Sequence, residues 1–356
     1  MTVTTPNPAP VAETPRSSGT RLVDRVFKMR ELAILVVFLA MIVVTQAGNS
    51  QFLSEQGIKD LLLNATILVL VATGQSLVVI TRNVDLSVGS TLGISAFAAG
   101  SYLHGGGNPV VAIVLAVLLG LAFGLVNGLL VSLGQVPALV VTLGTLYIIR
   151  GIDSIWVGSR QITAADLPPG FVDFGSGGIS AVPYLALIAL AVLVATAYCL
   201  KHFRSGRELY ALGSNPEAAR LAGIPVRRRI LLAYTLCGAL AGLAGAMYLA
   251  RFGNVDSGTG NGYELTVVSA VVVGGVVFTG GSGSVYGAAL GALLLTSVNS
   301  VLPALGVSSV WVLAINGVLL LLAIAVDRIV ALRVAAALKK KSASARSAVQ
   351  KGEARA

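Results

Sequence analysis

No set of side chains in this sequence assembles into a catalytic centre. The histidines are His104 and His202, too few for a Ser/His/Asp or Cys/His device. Cys199 and Cys237 sit singly in apolar runs; they lack metal-ligand spacing and read as small buried hydrophobes. No G-x-x-x-x-G-K-[ST] phosphate loop occurs, so the chain alone should not hydrolyse ATP. Neither a catalytic residue, a metal site nor a cofactor is expected.

The remaining polar groups suit a different chemistry. Asn64, Gln75, Asn127, Asp153, Asn299 and Asn316 each interrupt a long apolar run. Polar side chains inside a membrane span usually face the bundle interior, and carboxamides match the hydroxyls of a neutral polyol. Asn64, Asn127 and Asn316 are the candidates for a translocation pathway, against the plainer role of hydrogen-bonded glue between helices. A second cluster, Thr81-Arg82-Asn83-Val84-Asp85-Leu86-Ser87-Val88-Gly89-Ser90, puts charge between two apolar runs. There Asp85 can accept from Arg82 or from the amides that follow it, capping and orienting the next helix.

A third segment, Gly213-Ser214-Asn215-Pro216-Glu217-Ala218-Ala219-Arg220-Leu221-Ala222-Gly223-Ile224-Pro225, carries helix punctuation. Asn215 is a good N-cap, Pro216 suits the first helical position, and Glu217 complements the helix dipole. Gly223 can close the helix and Pro225 prevents its resumption. The pattern predicts a short helix over Asn215–Ala222 that would be marginal alone and makes sense if something docks against it. Ala218, Leu221 and Ala222 fall at i, i+3 and i+4 and form an apolar stripe. Glu217 and Arg220 are close enough along the helix to pair.

Composition names the elements that must carry these residues. Of 356 residues, 55% are hydrophobic and 11% charged, against about 45–50% and about 25% in soluble domains. Too little polar surface remains to solvate a globule of this length, and the bilayer is the natural solvent. The net charge of +10 does not point to nucleic acid. Lys and Arg gather at 16–30, 201–229 and 328–355, between or beyond apolar runs, with no aromatic residues interleaved in a base-stacking pattern.

At about 20 apolar residues per crossing, the runs predict ten spans, near 31–48, 61–81, 86–104, 109–131, 136–157, 180–200, 230–250, 264–280, 285–303 and 310–326. Spans three and eight are rich in Gly, Ser and Thr and are open to being broken or re-entrant. The Lys and Arg bias puts both termini in the cytoplasm and leaves only Lys59, Arg150, Arg160 and Arg251 elsewhere. The expected fold is an all-α integral membrane protein. Residues 1–30 form a disordered cytoplasmic tail, 31–328 the transmembrane domain, and 329–356 a basic cytoplasmic tail. Glycine stripes at Gly120/Gly124/Gly128, Gly238/Gly242 and Gly283/Gly287/Gly291 predict close helix–helix packing.

With these motifs in order, the chain from about residue 30 to 328 resembles the ribose/xylose/arabinose/rhamnose-type permeases of ATP-binding-cassette importers, within the branched-chain and monosaccharide permease superfamily. The resemblance rests on Gly74-Gln75-Ser76-Leu77-Val78-Val79-Ile80-Thr81, Asp85-Leu86-Ser87-Val88-Gly89-Ser90 and Asn127-Gly128-Leu129. It rests also on Pro137-Ala138-Leu139-Val140-Val141-Thr142-Leu143-Gly144-Thr145, the Gly213–Gly223 helix, Gly274-Gly275 and Gly280-Gly281-Ser282-Gly283-Ser284. Many pentose-type members have Gly before the Ile/Val-Asp step. Arg82-Asn83-Val84-Asp85 looks more like the rhamnose and autoinducer-2 branch.

The resemblance implies a permease paired with a second copy or a paralogue. Two copies of an ATPase subunit would sit below, and an extracytoplasmic sugar-binding protein outside. Asn215–Gly223 would correspond to the family's coupling helix, which enters a cleft on the ATPase. Asp85, Ser87, Gly89, Gly280, Gly281 and Gly283 would be its motif residues. The alternative is a secondary transporter driven by an ion gradient. That reading wants intramembrane carboxylates, of which only Asp153 lies well inside a span.

Overall fold

The computed structural model describes residues 35–304 continuously, with Leu32 and isolated positions between 306 and 325. The tails expected at 1–30 and 329–356, most of the span near 310–326, and Asn316 lie outside the described residues.

Helix α1 covers Leu35–Gly48. The order then runs α2 Glu55–Ile80, α3 Val88–His104, α4 Pro109–Ser132, α5 Ala138–Val157, a 3-10 turn at Ala164–Asp166, and α6 Pro169–Ser176. A small antiparallel hairpin, β1 Gly178–Ile179 and β2 Val182–Pro183, leads into α7 Tyr184–His202. It continues with α8 Arg204–Ser214, α9 Pro216–Leu221, α10 Val226–Phe252, α11 Tyr263–Val273 and α12 Val285–Ala304.

Six of the described helices, α2, α4, α5, α7, α10 and α12, are long and apolar enough to cross a bilayer. In α2, 94% of the most apolar stretch is buried, against 22% in α4 and α5, so α2 is the central helix and the latter two form the apolar outer wall. Around α2 stand α10, α12, α7 and α11. Cys237 is buried as expected, but Cys199 is exposed, because it lies near the end of α7, most of whose surface faces outward.

The glycine stripes are packing devices. Gly120 and Gly124 of α4 face Gly238 and Gly242 of α10, and a Cβ on Gly120 would lie 2.2 Å from the Gly238 carbonyl. Without side chains between them the two backbones touch, and dispersion acts along the whole seam. Gly291 meets the Ala270 carbonyl in the same way and joins α12 to α11.

Several boundaries differ from those expected. Helix α2 begins at Glu55 rather than near 61, because the Ser54 hydroxyl caps it by accepting the Gly57 amide. Helix α7 starts only at Tyr184, since β1 and β2 occupy the preceding residues. The expected span 264–280 is the largest departure. Helix α11 stops at Val273, and residues 274–284 fold as turns, with Gly275, Gly280, Gly281 and Gly283 all at positive φ. Helices α3 and α11 are therefore short, with 17 and 11 residues.

Candidate translocation and coupling sites

The chain turns at Thr81–Arg82 after α2 and runs without helix to Ser87, where α3 starts. An unwound backbone inside an apolar bundle must have each polar group satisfied, and side chains from three neighbouring helices do this. The Gln75 carboxamide lies along the Asp85 backbone, donating to its carbonyl at 3.1 Å and accepting from its amide at 3.2 Å. Tyr234 donates to the Val84 carbonyl at 3.1 Å, and Thr142 reaches the same oxygen at 3.4 Å. Asp85 Oδ1 accepts the Ser87 amide at 2.9 Å and the Ser87 hydroxyl at 2.7 Å. Asn127 Nδ2 donates to Ser87 Oγ at 2.8 Å and approaches Asp85 Oδ1 at 3.5 Å.

Asp85, Ser87 and Asn127 are thus one buried network that fixes where α3 begins. Of the two partners expected for Asp85, the structure has the amide that follows it, that of Ser87, and not Arg82, which turns instead to Gly213 and Ser214.

A second unwound stretch approaches the same point. Ile162 and Val255 exchange backbone hydrogen bonds of 3.0 Å, and Ile162 packs against Gly100 of α3. From there residues 255–262 run down α3: Gly93 abuts the Thr259 carbonyl, and Gly89 abuts the Gly260 carbonyl and Glu264. From Gly100 to Gly89 is about 16 Å along a helix axis. The segment therefore enters the bundle and α11 starts at depth. A Cβ on Gly89 would sit 2.5 Å from the Gly260 carbonyl oxygen, which is the physical requirement for glycine there. Arg150 Nη1 holds the segment from α5, donating to the Thr259 carbonyl at 2.8 Å and the Ser257 carbonyl at 3.4 Å. Asp153 is fully buried, its Oδ2 lying 3.8 Å from Arg150 Nη1.

The N-termini of two short helices, α3 and α11, thus converge on one region with Ser87, Gly89 and Glu264 around it. Broken helices of this kind build solute sites within membranes.

The third part lies at the end of the bundle rich in arginine. Arg82 donates through Nε to the Gly213 carbonyl at 2.5 Å and through Nη2 to the Ser214 carbonyl at 2.6 Å. It does so with φ at +67°, a backbone cost on the order of 1 kcal/mol or more for a non-glycine residue. The Gly281 amide donates to the Ile80 carbonyl at 2.9 Å. With Gly281 at φ +72°, a Cβ there would lie 2.5 Å from the Ser214 nitrogen. Three chain segments, Ile80–Arg82, Gly213–Ser214 and Gly280–Gly281, therefore meet backbone to backbone. Gly283 belongs to the same turn, its carbonyl accepting from Tyr210 of α8 at 3.0 Å.

From this corner α9 projects. Asn215 Oδ1 accepts the Ala218 amide at 3.1 Å, Pro216 occupies the first turn, and Ala222 caps the end. Gly223 follows at φ +75°. Ala219 is buried against the body, whereas Pro216 is half-buried and Asn215, Glu217, Ala218, Arg220, Ala222 and Gly223 are exposed. Leu221 is 89% exposed. Glu217 and Arg220 form no ion pair; Arg220 instead lines a wide cleft with Arg227 and Arg228. Beneath α9, Glu208 bridges Arg204 at 2.6 Å and Arg229 at 2.5 Å. Hydrogen bonds from Arg204 and then Arg229 hold its carboxyl below the usual glutamate value.

Asn64 stands apart from these sites, lining a cleft with Asp60, Arg251 and Ser300. The sequence reading missed the Arg82 corner and the descending 254–262 segment. The only local signal for the latter was its density of Gly, Asn and Asp between two apolar runs.

A bundle of apolar helices with discontinuous members and a projecting capped helix defines a multi-pass membrane permease. The chain belongs to the family described as the permease component of the branched-chain amino acid transport system, whose model matches residues 57–324. It is 36% identical over 315 residues to the ribose import permease protein RbsC of Escherichia coli strain K12, covering 87% of this chain and 97% of that protein. It is 37% identical over 300 residues to the autoinducer 2 import system permease protein LsrC of Enterobacter sp. strain 638, covering 84% and 87%. For the LsrC of Salmonella typhi the identity is 38% over 295 residues, covering 82% and 84%. No solved structure matches the chain.

Proposed function

We propose that this chain is the membrane-spanning permease subunit of an ATP-binding-cassette importer in a bacterial inner membrane. It would move a monosaccharide delivered by an external binding protein: a pentose, a rhamnose-like deoxyhexose or an autoinducer-2-like sugar derivative. It would work with two ATPase subunits and a second permease copy or paralogue. Ten spans, with the arginine-rich end and both termini cytoplasmic, complete the reading.

The observation that carries it is α9. A capped helix too short to be stable alone stands out from the body with Leu221 89% exposed, beside exposed Ala218 and Ala222. Exposing leucine to water costs on the order of 1.5 kcal/mol or more, a cost removed when a protein cleft receives it. Because α9 is seated on the Arg82 corner, ATP-driven movement of a docked partner would act directly on the start of the α2–α3 break. The permease itself supplies the path; hydrolysis belongs to the partner, and the purified chain should show no ATPase activity.

Ala218→Arg tests this. Arginine is a good helix former, so α9 persists while its docking face is blocked. At matched expression the variant should insert normally, recover little ATPase in pull-down and lose uptake. Recovery of the ATPase with normal uptake would remove α9 from the coupling role. An ion-driven secondary transporter is the weaker reading, since Asp153 already has Arg150 as its counter-charge.

A further inference from the structure

The descending 254–263 segment leaves a cleft of about 250 Å³ lined by Tyr248, Asn254, Asp256, Asn261 and Tyr263 together with backbone of Gly258–Gly260. Asn254 and Asp256 are exposed at the outer end of the segment, level with Gly100, and Asn261 is exposed at its foot beside Gly260, about 16 Å further along α3. Exposed polar side chains and unwound backbone survive at membrane depth only where they are buried in protein or face water. The cleft is thus part of an aqueous path, entered from the end opposite the arginine-rich one.

Its free hydrogen-bonding groups define what it would hold. Asp256 Oδ1 is used within its own turn, accepting the Gly258 amide at 2.9 Å and the Thr259 hydroxyl at 3.2 Å; Oδ2 makes no hydrogen bond among the described residues. Among the described residues the Asn261 carboxamide and the hydroxyls of Tyr248 and Tyr263 also make none. Asn254 Oδ1 accepts from Gln161 at 2.7 Å, which leaves its donor unused. Carboxylate, carboxamide, phenol hydroxyl and aromatic face are the groups that bind a polyhydroxylated ring. No Lys or Arg lines the cleft, and the nearby Arg150 is committed to the Thr259 and Ser257 carbonyls. An anionic solute would therefore be disfavoured beside Asp256. The space equals about eight waters at about 30 Å³ each, enough for one sugar ring.

We propose that this cleft is the outer subsite for a neutral monosaccharide. Asn261 and Asp256 would hydrogen-bond its hydroxyls, and Tyr248 and Tyr263 would offer ring faces and hydroxyls. The proposal rests on the sugar-importer reading above and adds the residues that receive the sugar from the binding protein.

The test uses the assembled importer in proteoliposomes, with Asn261→Cys in a Cys199→Ser background. A membrane-impermeant methanethiosulfonate added on the binding-protein side should modify the cysteine and block uptake. Uptake is scored with the transported member of a panel of D-ribose, D-xylose, L-arabinose, L-rhamnose and autoinducer 2. Asn261→Ala and Tyr248→Ala should each raise the half-saturating concentration of sugar-loaded binding protein or lower uptake by several-fold to about tenfold. Tyr248→Phe should retain more uptake than Tyr248→Ala. Failure of the thiol to react from that side, or full uptake after complete modification, overturns the subsite; so does normal uptake by both alanine variants. Wild-type importer that takes up no sugar of the panel points instead to failure of the parent reading.

Discussion

At the scale of the residue, Asn127 is the side chain whose role changed most between sequence and structure. It reads as a carboxamide available to a polyol, yet it is enclosed and spends its Nδ2 on Ser87. We therefore expect it to act on transport through the α2–α3 break. Asn127→Ala leaves Ser87 Oγ and Asp85 short of a donor inside the bundle, a loss of about 1–3 kcal/mol for a buried unsatisfied group. Thermal unfolding of the purified protein should start several degrees lower, and uptake should fall with it. Unchanged unfolding would mean that water replaces the carboxamide and that the break is wet.

Glu208 gives a second test at this scale, with a definite sign. Its carboxyl is held below the usual value by Arg204 and Arg229. The folded state therefore binds the proton less readily than the unfolded one. The stabilisation is present above the unfolded value of about 4.3 and disappears as pH falls through the lower folded value. Wild type and Glu208→Gln should differ by a constant amount from neutral pH down to about 5 and converge only in more acid solution. Convergence near neutral pH would contradict the bridged geometry. The effect should be modest, because Arg204 is well exposed and such pairs are screened.

At the scale of the element, the corner joining Ile80–Arg82, Gly213–Ser214 and Gly280–Gly281 links the two irregular segments at this end of the bundle with the projecting helix. Arg82→Ala removes both side-chain bonds while leaving α9, its cap and its apolar stripe intact. We expect the partner ATPase to be recovered as with wild type and uptake to fall about tenfold, within the usual range for loss of a coupling interaction. Loss of ATPase recovery would mean that Arg82 acts only to seat α9. Gly281→Ala attacks the same corner from the other side, through positive φ and a collision with Ser214, and should impair uptake likewise.

At the scale of the whole molecule, alternation of the spanning helices puts α8 and α9 at one end and α6 with the β1–β2 hairpin at the other. Single cysteines in a Cys199→Ser background test that arrangement. Ser205→Cys, and Ser344→Cys in the C-terminal tail, should react with impermeant reagent only from the cytoplasm, and Ser176→Cys only from outside. Reaction of Ser205→Cys and Ser176→Cys from the same side would make the crossing by α7 wrong.

The sequence by itself was enough to read the solvent of this protein, the six long apolar helices among its described residues and the position of α9. Each follows from local chemistry: hydropathy over about 20 residues, a cap, a proline and a glycine. The facing of Gly120 and Gly124 by Gly238 and Gly242 was legible as smooth stripes, though not which stripe meets which. Only the tertiary structure decided what Arg82 holds, that Asn127 is locked to Ser87, and that residues 254–262 descend beside α3. Those outcomes depend on groups far apart in sequence, such as Arg82 with Gly213 or Arg150 with Thr259. Irregular backbone carries no periodic signal of its own; where it runs is set by the distant side chains and glycines that satisfy or admit it.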